Sequence, residues 1–154
     1  MKIAIALGSN LGDREVQLRG AVASLAPAIT RLRLSSFYQT TPVDVPGAQS
    51  MFLNAAATGE SALSARAVLD ALQAVEQQFG RERPYVGAPR TLDLDLILYG
   101  DSVINESGLT VPHPRFRERR FVLEPLAEIA ADWVDPVTGK TIRELLDFAR
   151  QGKL

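Results

Sequence analysis

Alternating and helical patterns of hydrophobic residues divide the first hundred positions into six elements. Short apolar runs bounded by Gly or Pro predict strands, and apolar residues three and four positions apart predict helices. The strands fall at 2–7, 29–38, 51–58 and 92–98, and the helices at 18–25 and 65–79. Ser64 precedes the second helix as an N-cap and Gly80 ends it.

This element order, β-α-β-β-α-β, is that of the split βαβ or ferredoxin-like unit. We therefore predict an α+β fold, a ferredoxin-like sandwich with a C-terminal extension. The extension comprises a hairpin-like segment at 100–113, an arginine-rich loop, the apolar run "FVLEPLAEIA" and a short helix at 142–149. Without a repeat or linker, residues 1–154 are expected to form a single domain, for which the length suffices.

Composition narrows the class of protein. Hydrophobic residues make up 46% and charged residues 23%, which is typical of globular proteins. The chain has no Cys, so it has neither disulfides nor thiolate metal sites. No long apolar segment or signal peptide is visible, which predicts a cytoplasmic protein that does not contact membranes. A net charge of −1 argues against a general nucleic-acid binder, and the lack of an apolar heptad stripe favours a monomer.

Two carboxylates interrupt the most apolar strand, "RTLDLDLIL" at 90–98. Residues two apart share a strand face, so Asp93 and Asp95 project side by side, about 6.6 Å apart. Their repulsion would be relieved by a divalent cation, and Mg²⁺ prefers such oxygen ligands together with substrate phosphates. A strand with one solvated face is the alternative. The opposite face is assigned to four leucines: Leu92, Leu94, Leu96 and Leu98.

Seven of the 17 basic residues lie between positions 81 and 120, and all seven are arginines. Guanidinium groups suit bidentate contacts to phosphate, although Arg outnumbers Lys throughout this chain. Glu76 also stands out, because it lies on the inward stripe of the second helix and needs a partner there. Arg81 or a ligand would provide one, unless Glu76 sits at the edge of the stripe and reaches solvent. The seven arginines are Arg81, Arg83, Arg90, Arg115, Arg117, Arg119 and Arg120.

Five segments resemble a known family when taken together. They are "ALGSNLGD", "SSFYQTTP", "FLNAA", "PRTLDLDLILYG" and "LTVPHPRFRERRFVLEPL", in this order. The combination is similar to the 6-hydroxymethyl-7,8-dihydropterin pyrophosphokinases of folate biosynthesis and covers nearly the whole chain. The resemblance implies transfer of pyrophosphate from ATP, the co-substrate, to the hydroxymethyl group of the pterin, giving AMP. It also implies the ferredoxin-like fold.

The resemblance further implies roles at matching positions. Asp93 and Asp95 would hold two Mg²⁺ ions, and with Arg81 and Arg90 they would form the catalytic set. Paired carboxylates on a strand suit a reaction that depends on alignment and charge neutralisation. The positions matching nucleotide contacts are Gln73, Glu76, Arg81, Arg83, Arg90, Leu96, His113 and Arg119.

The pterin pocket is also implied by matching positions. Phe52 and Phe121 would stack on the two faces of the ring, and the amide of Asn54, on the same strand face as Phe52, would recognise its polar edge. Taken singly, each Phe also suits a core and His113 a plain loop. The full set of matching positions is Thr40, Thr41, Val43, Phe52, Asn54 and Phe121.

One departure from the family pattern concerns the loop at 81–89. The family often carries "RWGPRT" where this chain has "VGAPRT", without the Trp. We expect this polar, Pro- and Gly-containing loop to order over the nucleotide as a lid. Two other functions use the same element order: RNA-recognition modules, which the Asp pair disfavours, and a ferredoxin-like regulatory domain that binds a small molecule without turnover.

Overall fold

The computed structural model describes residues 1–9, 14–40, 52–80 and 92–152. Within these residues the chain forms two groups of elements. The first group is β1 (Lys2–Ser9), α1 (Arg14–Leu25), β2 (Thr30–Leu34), β3 (Tyr38–Thr40), β4 (Phe52–Glu60), α2 (Ala65–Gly80) and β5 (Asp93–Tyr99). The second group is β6 (Ile104–Glu106), β7 (Leu109–Val111), a 3-10 turn (Phe116–Glu118), α3 (Arg120–Ala130) and α4 (Ile142–Arg150).

The main sheet has the strand order β2-β4-β1-β5, and β3 pairs with the other end of β4. Neighbouring strands in this sheet are antiparallel. Because β1 and β2 both run against β4, they are parallel to each other with β4 between them. By the same reasoning β4 and β5 are parallel with β1 between them. The predicted α+β class is confirmed, and β1 lies at the centre of the sheet.

Each face of the sheet supports its own hydrophobic core. On the first face Ile3, Ile5 and Leu7 pack with residues of α1 and α2. On the second face, small residues of β1 and β4 pack with α3 and α4. Ala4, Ala6 and Ala56 are all small, so α3 can approach the sheet closely here. Burial of each large aliphatic side chain contributes about 1.5–3 kcal/mol, and β1 contributes to both cores.

Two sequence predictions about the strands were wrong in detail. The strand expected at 29–38 is divided, because the residues between β2 and β3 are held by side chains: Ser35 Oγ accepts the Ala56 N–H (2.8 Å) and the Glu128 carboxylate accepts the Ser36 N–H. Leu98 does not share a face with Leu92, Leu94 and Leu96. A bulge in the β1–β5 register moves it to the second core, beside Ile97.

The C-terminal extension follows the predicted outline. β6 and β7 form the hairpin, and the apolar run becomes α3 with its buried face on the sheet. The final helix, α4, starts with a complete capping box: Thr141 Oγ1 accepts the Glu144 N–H, and the Glu144 side chain accepts the Thr141 N–H. Across the described ranges, no helix has the length and apolarity needed to cross a membrane.

Candidate active site

A cleft of about 820 Å³ opens between the second face of the sheet and the start of α3. The sheet forms one wall, and the segment from the 3-10 turn into α3 forms the other. The residues of the sheet wall are Ala6, Leu7, Gly8, Phe52, Asn54, Asp93 and Asp95. The residues of the opposite wall, called here the arginine wall, are Glu118, Arg119, Arg120, Phe121, Val122 and Glu124.

Strand register places the polar groups of the sheet wall. Gly8 pairs with Asn54 on one side and with Asp93 on the other, so these residues form a row across three strands. Ala6 likewise pairs with Asp95 in the neighbouring row. Adjacent strands are about 4.8 Å apart, which puts Asn54 and Asp93 roughly 10 Å apart across the row. The amide and the carboxylates therefore lie at opposite ends of one shallow floor.

Gly8 leaves the space that Asn54 occupies. A Cβ at this position would lie 3.1 Å from Asn54 Oδ1, and Asn54 is only 6% exposed. Glycine inside a strand often marks a close approach of backbone, side chain or ligand. Gly8 and Ala6 were not predicted as site residues, although the small residues Ala4, Ala6 and Gly8 recur at the strand period, which was a visible signal of an open floor.

Asp93 and Asp95 are both partly exposed and both line the cleft, as their spacing predicted. Within the described part of the chain, no group of three or more His, Cys, Asp or Glu side chains is arranged to hold a metal ion. Two carboxylates fit Mg²⁺, which usually keeps several waters and takes further oxygens from substrate phosphates. The donor set fits a metal carried with a polyphosphate.

Arg119 and Phe121 supply the chemistry of the arginine wall. The Arg119 guanidinium carbon lies 5.7 Å from the centre of the Phe121 ring, within cation–π range. Phe121 is 38% exposed and belongs to the first turn of α3, at the start of the apolar run. Phe52 lies across the cleft on β4. Aromatic rings therefore flank the cleft from both walls.

His113 lies beside the outer edge of β5, where its backbone N–H donates to the Ile97 carbonyl (3.0 Å). Its Nδ1 accepts the Arg115 N–H (3.2 Å), so the proton of the neutral imidazole belongs to Nε2. Burial lowers the pKa of His113, the charge of Asp95 opposes this, and Arg119 and Arg115 reinforce it. A neutral His113 near pH 7 is thus a hydrogen-bond donor through Nε2.

Three residues that the resemblance predicts to contact the nucleotide lie on α2 or on the first face of β5. Glu76 Oε2 accepts the Leu94 N–H at the sheet edge (2.9 Å), so backbone provides a partner for this inward carboxylate. Gln73 is exposed on α2. The Leu96 side chain is 5% exposed in the first core, so only its main chain is available to a nucleotide at the edge of β5.

Several predicted residues lie outside the described ranges. They are Thr41 and Val43 of the pterin set, and Arg81, Arg83 and Arg90 of the nucleotide and catalytic sets, together with the expected lid at 81–89. Thr40 is the last residue of β3 and pairs with Phe52 across the ladder. The part of the sheet wall that is predicted to contact the pterin therefore lies next to the end of β3.

The arginines after His113 do not form one phosphate-binding surface. Arg119 lines the cleft, but Arg117 turns away from it to Asp135, and Arg120 pairs with Glu124 at 2.8 Å within α3. Arg120 and Glu124 line the outer part of the cleft, and sequence reasoning missed Glu124. Its only signal was the i,i+4 charge pattern typical of a helix surface.

Glu128 connects the far end of the arginine wall to the edge of the sheet. Its carboxylate accepts the Tyr38 hydroxyl (2.7 Å) and the Ser36 N–H and hydroxyl. The hydrogen bond to Glu128 raises the pKa of Tyr38 to about 12. Burial alone would raise the pKa of Glu128, but the hydrogen bonds from Tyr38 and Ser36 outweigh the effect of burial, so the pKa lies below its ordinary value. These contacts fix α3 relative to β3.

Fold and cleft together define a class of protein. An α+β sheet presents two carboxylates suited to a divalent cation, a cationic side chain suited to phosphate, and flanking aromatic rings suited to a flat heterocycle. This combination is typical of a metal-dependent transferase that acts on a nucleotide and an aromatic substrate.

The chain belongs to the 7,8-dihydro-6-hydroxymethylpterin-pyrophosphokinase (HPPK) family, whose model matches residues 4–131. A 2-amino-4-hydroxy-6-hydroxymethyldihydropteridine pyrophosphokinase of Synechocystis is 46% identical over 145 residues, covering 93% of this chain and 73% of that protein. A Bacillus subtilis protein of the same name is 47% identical over 127 residues, covering 81% of this chain and 75% of that protein.

Comparison of structures agrees on the fold. The crystal structure of wild-type Plasmodium falciparum HPPK-DHPS matches with a TM-score of 0.76 at 12% identity, over 99% of this chain and 46% of that one. The family and the enzyme class expected from the sequence, an ATP-dependent diphosphotransferase, are confirmed. The regulatory domain without turnover is not favoured.

Proposed function

We propose that the cleft is the place where this chain transfers pyrophosphate from ATP to 6-hydroxymethyl-7,8-dihydropterin in folate biosynthesis. One observation carries the assignment: the Asp pair, Arg119 and the Phe52–Asn54–Phe121 group all line the same opening. A polyphosphate and a flat polar heterocycle would each meet matching chemistry there, and the roughly 10 Å floor brings their reacting ends together.

The pterin would occupy the end of the cleft at Asn54. Phe52 and Phe121 face this end from opposite walls, and flat rings stack well on aromatic faces. The Asn54 amide has both a donor and an acceptor for the ring edge. Its burial and the tight space beside Gly8 restrict its orientation, which favours one heterocycle edge over others. Thr40, Thr41 and Val43 are proposed to complete this pocket.

Asp93 and Asp95 would hold magnesium at the other end of the floor. We propose two ions, as the family resemblance implies. When bound, magnesium neutralises phosphate charge and steadies the attacking and leaving oxygens. The carboxylates themselves are held by a strand whose central neighbour is buried on both faces, so their positions are preorganised.

The triphosphate would lie between the Asp pair and the arginine wall. Arg119 offers a permanently charged donor, and neutral His113 offers an Nε2 proton beside Asp95 without adding a charge that must be desolvated. Arg81, Arg83 and Arg90 are proposed to contact the phosphates from the other side, with Arg81 and Arg90 stabilising charge in the transition state. Gln73, Glu76 and the main chain of Leu96 are proposed for the nucleoside.

The reaction is then a displacement at the β-phosphorus. The hydroxymethyl oxygen forms a bond to the β-phosphorus, and the bond from this phosphorus to the oxygen bridging the α-phosphate breaks. AMP leaves and the hydroxyl proton passes to water. The protein contributes mainly alignment and charge complementarity, which is the usual division of work in such transfers.

The finer structural predictions also belong to this proposal. The strand order β2-β4-β1-β5, with all neighbours antiparallel, supports the ferredoxin-like arrangement. So do the two parallel pairs, β1 with β2 and β4 with β5, each of which has one strand between its members. The monomeric state, the single domain over 1–154 and the cytoplasmic location remain predictions from the sequence.

The function is tested by product analysis. The chain is incubated with Mg–ATP and the pterin, and AMP and pterin diphosphate are quantified by chromatography. We expect equal amounts of both, and no AMP without the pterin. Formation of ADP would contradict transfer of pyrophosphate, and binding of both ligands without any product would favour a regulatory role. The variant Asp101→Asn, an exposed carboxylate just after β5, serves as a matched control with unchanged turnover.

A further inference from the structure

Arg117 lies in the 3-10 turn just before Arg119 and is not among the residues that line the cleft. Its Nε donates to Asp135 Oδ2 and its Nη2 donates to Asp135 Oδ1, the latter at 3.0 Å. The pair is bidentate, with both N–H groups of one guanidinium edge meeting both carboxylate oxygens. Such pairs restrict orientation as well as distance, which a single Lys contact does not.

Asp135 is held rigidly in its own turn. It is fully buried, and its carboxylate also accepts the Val137 N–H (3.0 Å) and the Thr138 hydroxyl (2.7 Å). Its backbone N–H donates to Lys140 and its carbonyl accepts from Gly139, both at 2.8 Å. Burial would raise the pKa of Asp135, but the bonds from Arg117 and Thr138 outweigh it, so the pKa lies below the ordinary value. The carboxylate is therefore a fixed point for Arg117.

A short chain of contacts leads from Arg117 to the cleft. Phe116, its neighbour, is fully buried in the second core. The Arg119 N–H donates to the Phe116 carbonyl (3.1 Å), and the Arg119 carbonyl accepts the N–H groups of Val122 and Leu123 that start α3. Two adjacent anchors, one apolar and one ionic, thus hold the turn that precedes Arg119.

Stability alone is a poor explanation for this pair. Buried ion pairs often stabilise no better than apolar residues of similar volume, since desolvation of the charges offsets their attraction. Their better-supported use is to specify geometry. Phe116 already provides apolar anchoring, and the ion pair adds a directional side-chain contact that restricts how the turn rotates about that anchor.

We infer that Arg117 and Asp135 are positioning residues that set the place of Arg119 toward the nucleotide. The inference rests on the proposed function, in which the Arg119 side chain contacts the triphosphate. Phe121 belongs to α3, which is anchored separately by Val122 and Leu123 in the second core, so the pterin end depends less on the pair. Disturbing it should weaken the nucleotide contact selectively.

The test compares nucleotide and pterin affinity in Arg117→Lys and Asp135→Asn. Arg117→Lys keeps the charge pair but loses its bidentate geometry, and Asp135→Asn keeps a polar contact but loses the negative charge. We expect the Kd for a non-hydrolysable Mg–ATP analogue to rise about fivefold or more, with less than a twofold change for the pterin. Deuterium uptake of residues 113–121 should become about tenfold faster. All measurements are made well below the melting temperature of each variant.

Thr138→Val is the matched control. It removes one bond to the same carboxylate and loosens the same turn, but leaves the ion pair in place, so nucleotide affinity should stay near that of the parent. The inference would be overturned if both ligands bound equally more weakly, or if deuterium uptake at 113–121 were unchanged in both test variants. Arg117 and Asp135 would then have a structural role only.

Arg119→Ala separates this inference from the proposed function. If Arg119→Ala leaves nucleotide affinity unchanged, the assigned role of Arg119 is wrong, and the nucleotide part of the inference is overturned with it. If Arg119→Ala weakens the nucleotide and neither Arg117→Lys nor Asp135→Asn does, the function stands and the positioning role is overturned.

Discussion

The two walls of the cleft are constructed by different means. The sheet wall places Asn54, Asp93 and Asp95 by strand register around a central strand buried on both faces. The arginine wall places Arg119 and Phe121 with the help of individual side-chain contacts, including Arg117 with Asp135 and Glu128 with Tyr38. The first wall is a property of backbone pairing, and the second depends on a few specific partners.

This difference explains which functions each wall suits. Metal ligands need fixed separations, and a strand supplies them without further support. Groups that meet the triphosphate need a defined orientation, and this wall obtains it from a few directional side-chain contacts such as the bidentate Arg117–Asp135 pair. Substitutions in the sheet wall should therefore act locally, whereas substitutions behind the arginine wall should act at a distance.

The largest effect is expected at the Asp pair. Asp93→Asn or Asp95→Asn should lower AMP formation by on the order of 10²–10³-fold, the range seen when one key electrostatic group is removed. The melting temperature should stay the same or rise slightly, because like-charge repulsion in the metal-free protein is relieved. Steady-state turnover at saturating Mg²⁺ is the measurement. Near-normal turnover would contradict the metal-binding role and favour the alternative, in which both carboxylates merely face solvent.

Gly8→Val should produce the next largest effect. Its side chain would push against Asn54 Oδ1, which lies 3.1 Å from the Cβ position. Overpacking of this size costs about 1–3 kcal/mol, so we expect roughly tenfold weaker pterin binding by calorimetry and little change for the nucleotide. Gly8→Ala should show a smaller loss of the same kind. Unchanged pterin affinity in Gly8→Val would show that Asn54 does not bind the pterin.

Phe121→Ala should have a moderate effect confined to the pterin. Loss of stacking is worth roughly 0.5–1.5 kcal/mol beyond burial. Phe148→Ala is a well-matched control, since Phe148 is 37% exposed against 38% for Phe121 and also lies beneath a cation, Lys140. Pterin and nucleotide affinities are measured for both variants, and only the pterin affinity of Phe121→Ala should fall. Equally weaker binding of both ligands by Phe121→Ala would mean a general loosening of α3.

The smallest effect is expected for Tyr38→Phe, through pH. The Tyr38 pKa is raised in the folded state to about 12, so its hydrogen bond contributes stability below the ordinary value of 10 and loses it as pH rises through 12. Wild type should exceed Tyr38→Phe by about 0.5–1 kcal/mol at pH 8. Denaturant unfolding at pH 8 and pH 11 should show this gap narrowing. A constant gap would exclude the Tyr38–Glu128 bond as its cause.

The sheet wall could largely be predicted from the sequence. A period of two places Asp93 with Asp95 and Phe52 with Asn54 wherever the strands lie in the sheet. Leu98 escaped this reasoning because a bulge changes the period, and a run of Leu and Ile looks the same with or without one. Gly8 was overlooked although its size was the informative feature.

The arginine wall could not be predicted in the same way. Arg115, Arg117, Arg119 and Arg120 look equivalent in sequence, yet one lines the cleft beside Phe121 and another is bound to Asp135, 18 residues further along. The partner of Arg117 depends on how the turn after α3 folds back, which has no local pattern. Likewise the backbone partner of Glu76 exists only because β5 lies at the sheet edge.

The central claim is that Asp93 and Asp95 hold the metal ions of the transfer, and direct counting of ions tests it best. Mn²⁺ accepts the same oxygen ligands and is visible by paramagnetic resonance. In the complex with the pterin and a non-hydrolysable ATP analogue, we predict two bound Mn²⁺ per chain for the wild type and for Asp101→Asn, and one or none for Asp95→Asn. Two ions bound with unchanged affinity in Asp95→Asn would contradict the account.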